Sequence, residues 1–78
     1  MELKTLGPNR TELHIGTPKT VIFFSYNTPV AAFTYTGFKY YRTDQRHSVT
    51  TSKHINQWLN GNEAEIKPQS FFDALVKG

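Results

Sequence analysis

Residues 20–26, TVIFFSY, hold the run Val21–Phe24, in which no residue is polar. An alternating strand keeps one wet face; four apolar residues in a row leave none. β-Branched and aromatic side chains between turn residues read as strand rather than helix. The segment therefore predicts a central strand covered on both sides, which needs a neighbour along each edge.

The flanking sequence supplies those neighbours. Glu2–Leu6 is a weak strand. Thr11–Ile15 alternates, with Thr11, Leu13 and Ile15 on one face and Glu12 and His14 on the other. Gly7-Pro8-Asn9-Arg10 and Gly16-Thr17-Pro18-Lys19 read as turns on either side of it. Beyond Asn27-Thr28-Pro29, residues Val30–Tyr35 and Phe38–Thr43 predict a hairpin around Thr36-Gly37. A two-residue loop there sets Phe33 opposite Tyr40. One face then carries Ala31, Phe33, Tyr35, Phe38, Tyr40 and Arg42, and this aromatic face is expected to pack on a helix. The other carries Val30, Ala32, Thr34, Lys39, Tyr41 and Thr43.

That helix is Ser48–Gly61. Ile55, Trp58 and Leu59 fall on one stripe. Thr50, Thr51 and Ser52 offer oxygens to cap its start, and Asn60-Gly61 suits its end. Asn62–Lys67 reads as a polar link. Ser70-Phe71-Phe72-Asp73 has the form of a capping box opening a short last helix, whose apolar residues are Phe71, Phe72, Leu75 and Val76. The expectation is a single α+β domain over residues 1–78: an antiparallel meander of four to five strands packed against one α-helix, with a short C-terminal helix.

Composition decides what fills the core. Of 78 residues only 37% are hydrophobic, but 14% are aromatic, so rings must supply much of the buried area. The absence of cysteine excludes disulfides and thiolate metal sites, and suits a reducing cytoplasm. No run nears the roughly 20 apolar residues of a membrane span, and residues 1–7 lack the apolar region of a secretory signal. A cytoplasmic protein, without membrane contact, is expected.

Net charge is +3, and it is unevenly spread. Lys39, Arg42, Arg46 and Lys53 lie within fifteen residues against one acid, Asp44, with His47 among them. These five basic residues are the expected binding surface. Tyr35, Phe38, Tyr40 and Tyr41, interleaved with them, keep open a platform for single-stranded nucleic acid. Against that, a core short of aliphatics needs those rings inside. The hydroxyl-rich start of the helix is an anion-binding geometry, or ordinary capping.

Catalysis and cofactors find little support. Asp44, His47 and Ser48 adjoin in sequence, but triads are set by spatial geometry and no glycine elbow flanks Ser48. There is no glycine-rich phosphate loop and no metal-ligand spacing among His14, His47 and His54. No enzyme activity, metal or cofactor is expected.

Ser25-Tyr26-Asn27-Thr28-Pro29-Val30-Ala31, then Tyr41-Arg42-Thr43-Asp44, then Ser48–Leu59 (SVTTSKHINQWL) together resemble a family of short uncharacterised proteins. Its members share an SYxTPVA segment and an SxTTxxHINxW/F-L segment, and are carried mainly by bacteriophages and plasmids. The resemblance covers residues 20–60. It implies a mobile-element origin and no activity.

The expected function is stoichiometric binding to a host or phage protein or nucleoprotein complex, with inhibition of host defence as one form of it. Direct nucleic-acid binding is the alternative. A meander also leaves two open edges, a route to an edge-strand dimer.

Overall fold

The computed structural model describes residues 2–16 and 19–77. Thr17 and Pro18, half of the second expected turn, lie outside the described residues.

Six strands and two helices follow in the order β1 (Glu2–Gly7), β2 (Arg10–Ile15), β3 (Thr20–Ser25), β4 (Thr28–Thr34), β5 (Lys39–Thr43), α1 (Val49–Leu59), β6 (Ala64–Lys67) and α2 (Gln69–Lys77). The strands form one sheet in chain order. β1 to β5 are an antiparallel meander, and β6 returns through α1 to lie parallel to β5.

β3 sits inside the sheet and is covered on both faces, as its unbroken apolar run requires. Val21 and Phe23 point to the α1 side, and Ile22 points to the α2 side; all three are buried. Phe23 meets Val30, Ala31, Ile55 and Leu59 in the core under α1. Trp58 stacks on Phe23, with ring centroids 5.1 Å apart, and meets Tyr40 edge-on at 5.7 Å. On the opposite face α2 lies across β4 and β3, anchored by fully buried Phe72. Phe71 packs on Tyr41 beside it, at 5.3 Å.

The hairpin register is as expected, Phe33 opposite Tyr40, and the aromatic face does carry the helix. Several expectations need correcting. There are six strands rather than four to five, because Asn62–Lys67 is not merely a link. Ala64–Lys67 pairs with β5 at the sheet edge, where polar side chains are tolerated and neither periodicity nor hydropathy marks a strand. The β4–β5 loop is four residues long, Tyr35–Phe38, since Thr36 is ill suited to positive φ; Gly37 (φ 84°) and Phe38 (φ 50°) take it instead.

Val30 lies under α1 with Ala31, not on the opposite face. A bulge between the Phe23–Ala31 and Phe24–Pro29 pairs turns both residues to one side. Pro29 falls at that bulge, where its missing N–H costs least. The cap of α1 is Ser48, whose Oγ accepts the Thr51 N–H at 3.1 Å, one turn earlier than the threonines suggested. The helix ends on Asn60 in the left-handed region, with Gly61 also at positive φ. The capping box at Ser70 is not formed. α2 begins at Gln69, which places Ser70 inside the helix.

A candidate binding cleft at the start of helix α1

β5 ends at buried Thr43, and the chain turns through Asp44–Ser48 into α1. Backbone and side-chain bonds fix this turn. Asp44 N–H donates to the Lys67 carbonyl at 2.9 Å, and Gln45 N–H donates to Thr43 Oγ1 at 3.1 Å. Gln69, at the start of α2, ties it to both helix layers. Its amide donates to the Pro29 carbonyl at 2.6 Å, and its Oε1 accepts from Thr43 Oγ1 at 2.9 Å and from His47 Nε2 at 3.1 Å. Nothing in the sequence around Gln69 announces that hub; it exists only because α2 docks against the end of β5.

Between this turn, α1 and β6 lies an open cleft of about 500 Å³. Arg42, Arg46 and His47 line it with one acid, Asp44, and so do Val49 and Ile66, two aliphatic residues left 77% and 64% exposed. Exposed aliphatics beside cations in one concavity are unlike an ordinary solvated face. Lys53, four residues beyond Val49, continues that side of the helix. Arg42 reaches Asn56 Oδ1 at a long 3.5 Å, and among the described residues neither it, Arg46 nor Lys53 joins an ion pair. The positive end of the α1 dipole adds to their field.

The five expected binding residues therefore divide. Arg42, Arg46 and His47 converge, and Lys53 stands on the adjoining turn. Lys39 is elsewhere: it opens β5, at the far end of the strand, and binds Glu65 Oε1 at 2.6 Å. Lys67 holds the other oxygen of Glu65 at 2.8 Å, and these two hydrogen bonds pull the Glu65 carboxyl down to about 2. The same contact raises the Lys39 ammonium above its usual range. The rings of the expected nucleic-acid platform divide too. Tyr40 packs on Trp58 and Tyr41 on Phe71, while Tyr35 and Phe38 stay exposed at the hairpin tip, away from the cleft.

The three imidazoles are separately employed. His47 serves Gln69, and His14 bonds Glu12 Oε1 through Nε2 at 3.0 Å. His54 Nδ1 is hydrogen-bonded to buried Ser25 Oγ at 2.9 Å. Ser25 Oγ also shares a hydrogen bond with Thr51 Oγ1, at 3.1 Å, and Thr51 Oγ1 accepts from Ser48, at 3.2 Å. Among the described residues no group of three His, Cys, Asp or Glu side chains is placed to hold a metal ion, and no helix is long and apolar enough to cross a membrane.

A second concavity, of about 270 Å³, opens on the α1 face of the sheet. Phe33, Tyr35, Tyr40 and Trp58 line it together with Glu12 and His14. Sequence reading passed over it, because Glu12 and Trp58 are 46 residues apart and meet only through the docking of α1.

A six-stranded sheet between two helices, with a cationic cleft where a parallel strand feeds a helix, defines a small α+β domain. The chain belongs to the family of unknown function DUF8033, whose model matches residues 1–74. No curated protein and no solved structure matches it.

Proposed function

We propose that the chain is a non-enzymatic binding module. It acts in the cytoplasm of a host cell by stoichiometric attachment to a host or phage protein or nucleoprotein complex. The observation that carries this reading is the cleft, in which Arg42 and Arg46 flank exposed Val49 and Ile66. An acidic protein surface with an apolar patch is the complementary partner: the aliphatics supply burial, and the cations supply steering and register. The resemblance to short phage and plasmid proteins supports a mobile-element origin, and inhibition of a host defence complex is the form of function that such an origin favours.

The test compares the native chain with the Arg46→Glu/Lys53→Glu variant in quantitative affinity capture from host extract. Both positions are exposed, so the variant's melting curve should match the native one. Partners retained by the native chain and lost from the variant support the cleft. An identical set of partners from both would remove it.

Direct nucleic-acid binding is the second reading, and exposed Tyr35 and Phe38 favour it. Its sign is an affinity for single-stranded oligonucleotide that falls steeply with salt. Absence of binding at low salt would end it. Edge pairing is a further route: β1 is an open edge with Leu3 68% exposed. Antiparallel self-pairing centred on Leu3 would set Glu2 of one copy against Lys4 of the other. Sedimentation across a concentration series tests it, and a monomer throughout excludes it.

A further inference from the structure

We propose that the aromatic cup on the α1 face binds an alkylated ammonium group. Its walls are four rings. Phe33 and Tyr35 stand at 80° to each other and Tyr40 and Trp58 at 77°, while Phe33 and Tyr40 are tilted by 47° with centroids 4.5 Å apart. Ring faces are the negative side of the aromatic quadrupole and attract cations within about 6 Å.

The second component is Glu12. Its Oε2 accepts the Trp58 indole N–H at 2.6 Å, and its Oε1 accepts from His14 at 3.0 Å. Both oxygens thus act as acceptors, as those of an ionised carboxylate do. Its side chain is 18% exposed, and among the described residues its one ion-pair contact is His14. His14 Nδ1 is buried without a hydrogen-bond partner. Lys4, opposite Glu12 across β1 and β2, makes no ion pair with it among the described residues. The cup therefore carries a mostly buried carboxylate whose one ion-pair contact among the described residues is a histidine, and a bound cation would place a full positive charge beside it.

Among the described residues no lysine or arginine lines the cup. Lys19 stands 5.9 Å from the Tyr35 centroid without contributing to the lining. At about 270 Å³ the space suits a methylated ammonium head better than a larger ligand. Four rings and one carboxylate are the donor set that recognises such a head, since it is large, weakly hydrated and positive. The ligand is either a free quaternary amine or a methylated lysine side chain on another chain.

Trp58 is the sole tryptophan and lines the cup, so its fluorescence responds to a ligand bound there. The experiment titrates the full chain with tetramethylammonium, choline and a short peptide bearing trimethyl-lysine, against sodium chloride at matched ionic strength. The neutral isostere of choline, 3,3-dimethylbutanol, is the control for plain apolar binding. Saturable change with the ammonium ligands, and binding of the isostere weaker by about tenfold or more, are expected. Glu12→Gln should weaken the ammonium ligands to the level of the isostere. Should that variant not fold, Tyr35→Ala removes one wall at a half-exposed position and should weaken binding several-fold with the circular dichroism unchanged. Tighter binding of the peptide than of choline assigns the ligand to a lysine side chain; equal binding assigns it to a free amine. No saturable change, or equal affinity for choline and its isostere, overturns the proposal.

Discussion

Trp58 and Glu12 lie 46 residues apart, and the indole N–H of one donates to the carboxylate of the other at 2.6 Å. This contact fastens the last turn of α1 to β2, beyond the reach of the buried aliphatics Ile55 and Leu59. Trp58→Phe keeps a ring against Phe23 but removes the donor from a mostly buried carboxylate. A hydrogen bond to a charged group contributes about 1.5–3 kcal/mol, and a loss in that range is expected in urea denaturation. Paired with Glu12→Gln in a double-mutant cycle, the two changes should be strongly non-additive. Additive losses would mean that the contact contributes nothing beyond ring packing.

The hydroxyl chain from Ser48 through Thr51 and Ser25 to His54 crosses the seam between α1 and the sheet. Successive members are hydrogen-bonded, and Ser25 is 1% exposed. Ser25→Ala deletes the link that serves two partners at once. Leaving buried groups unsatisfied costs about 1–3 kcal/mol, which for a domain of this size lowers the melting temperature by roughly 4–8 °C per kcal/mol. Hydrogen exchange should quicken over Thr51–Ile55 before it does so in β3. Unchanged protection there would show that water replaces the serine without penalty.

Glu65 gives a pH signature. Its carboxyl is pulled from the ordinary value of 4.5 to about 2 by hydrogen bonds from Lys39 and then Lys67. A depressed carboxyl stabilises the fold above its unfolded value, and that stabilisation disappears as pH falls through the folded value. The native chain should therefore exceed Glu65→Gln in melting temperature at neutral pH. The gap should narrow from about 4.5 downwards and close near 2. All three side chains are at least a third exposed, so added salt should shrink the gap at every pH. A gap independent of both pH and salt would place the effect outside this ion pair.

What the sequence made legible is what burial patterns encode. The apolar run Val21–Phe24 required cover on two faces, and α1 and α2 provide it. Ile55 and Leu59 marked the inner stripe of α1, and the Phe33–Tyr40 register followed from the hairpin pattern. β6 was hidden because an edge strand owes its place to backbone bonds with β5, and its composition, AEIK, carries no such information. The cleft was legible in part. Arg42, Arg46, His47 and Lys53 cluster in sequence and remain neighbours because one turn joins their elements. Lys39 separated from them because a strand carries its two ends apart. Gln69 and Glu12 were silent because their contacts join residues far apart in the chain and form only when α2 and α1 dock.

Phe72 is the single buried residue of α2, a nine-residue helix. A helix that short does not persist in water without docking. Phe72→Ala should cost about 3–5 kcal/mol and free α2 from the sheet. Because Gln69 would leave with it, the His47 ring should lose its fixed orientation, visible as a broadened imidazole resonance. Retention of a sharp His47 signal with a fully destabilised fold would show that the turn is held by β5 and β6 alone.

Phe38 holds a left-handed backbone, φ 50°, with its side chain 75% exposed. For a bulky L-residue this conformation costs about 1–2 kcal/mol, whereas asparagine adopts it more readily. The ring returns little in exchange, since its neighbours Phe33 and Tyr35 are both 6.4 Å away between centroids. Phe38→Asn is therefore expected to raise stability, by about 0.5–1 kcal/mol, which is a gain of roughly 2–8 °C in melting temperature. If stability rises and partner capture in the cleft assay is unchanged, the tip is not part of that interface. If capture weakens while stability rises, the exposed ring is a contact, held in strain for it. A fall in melting temperature would show instead that the loose aromatic cluster at the tip outweighs the backbone cost.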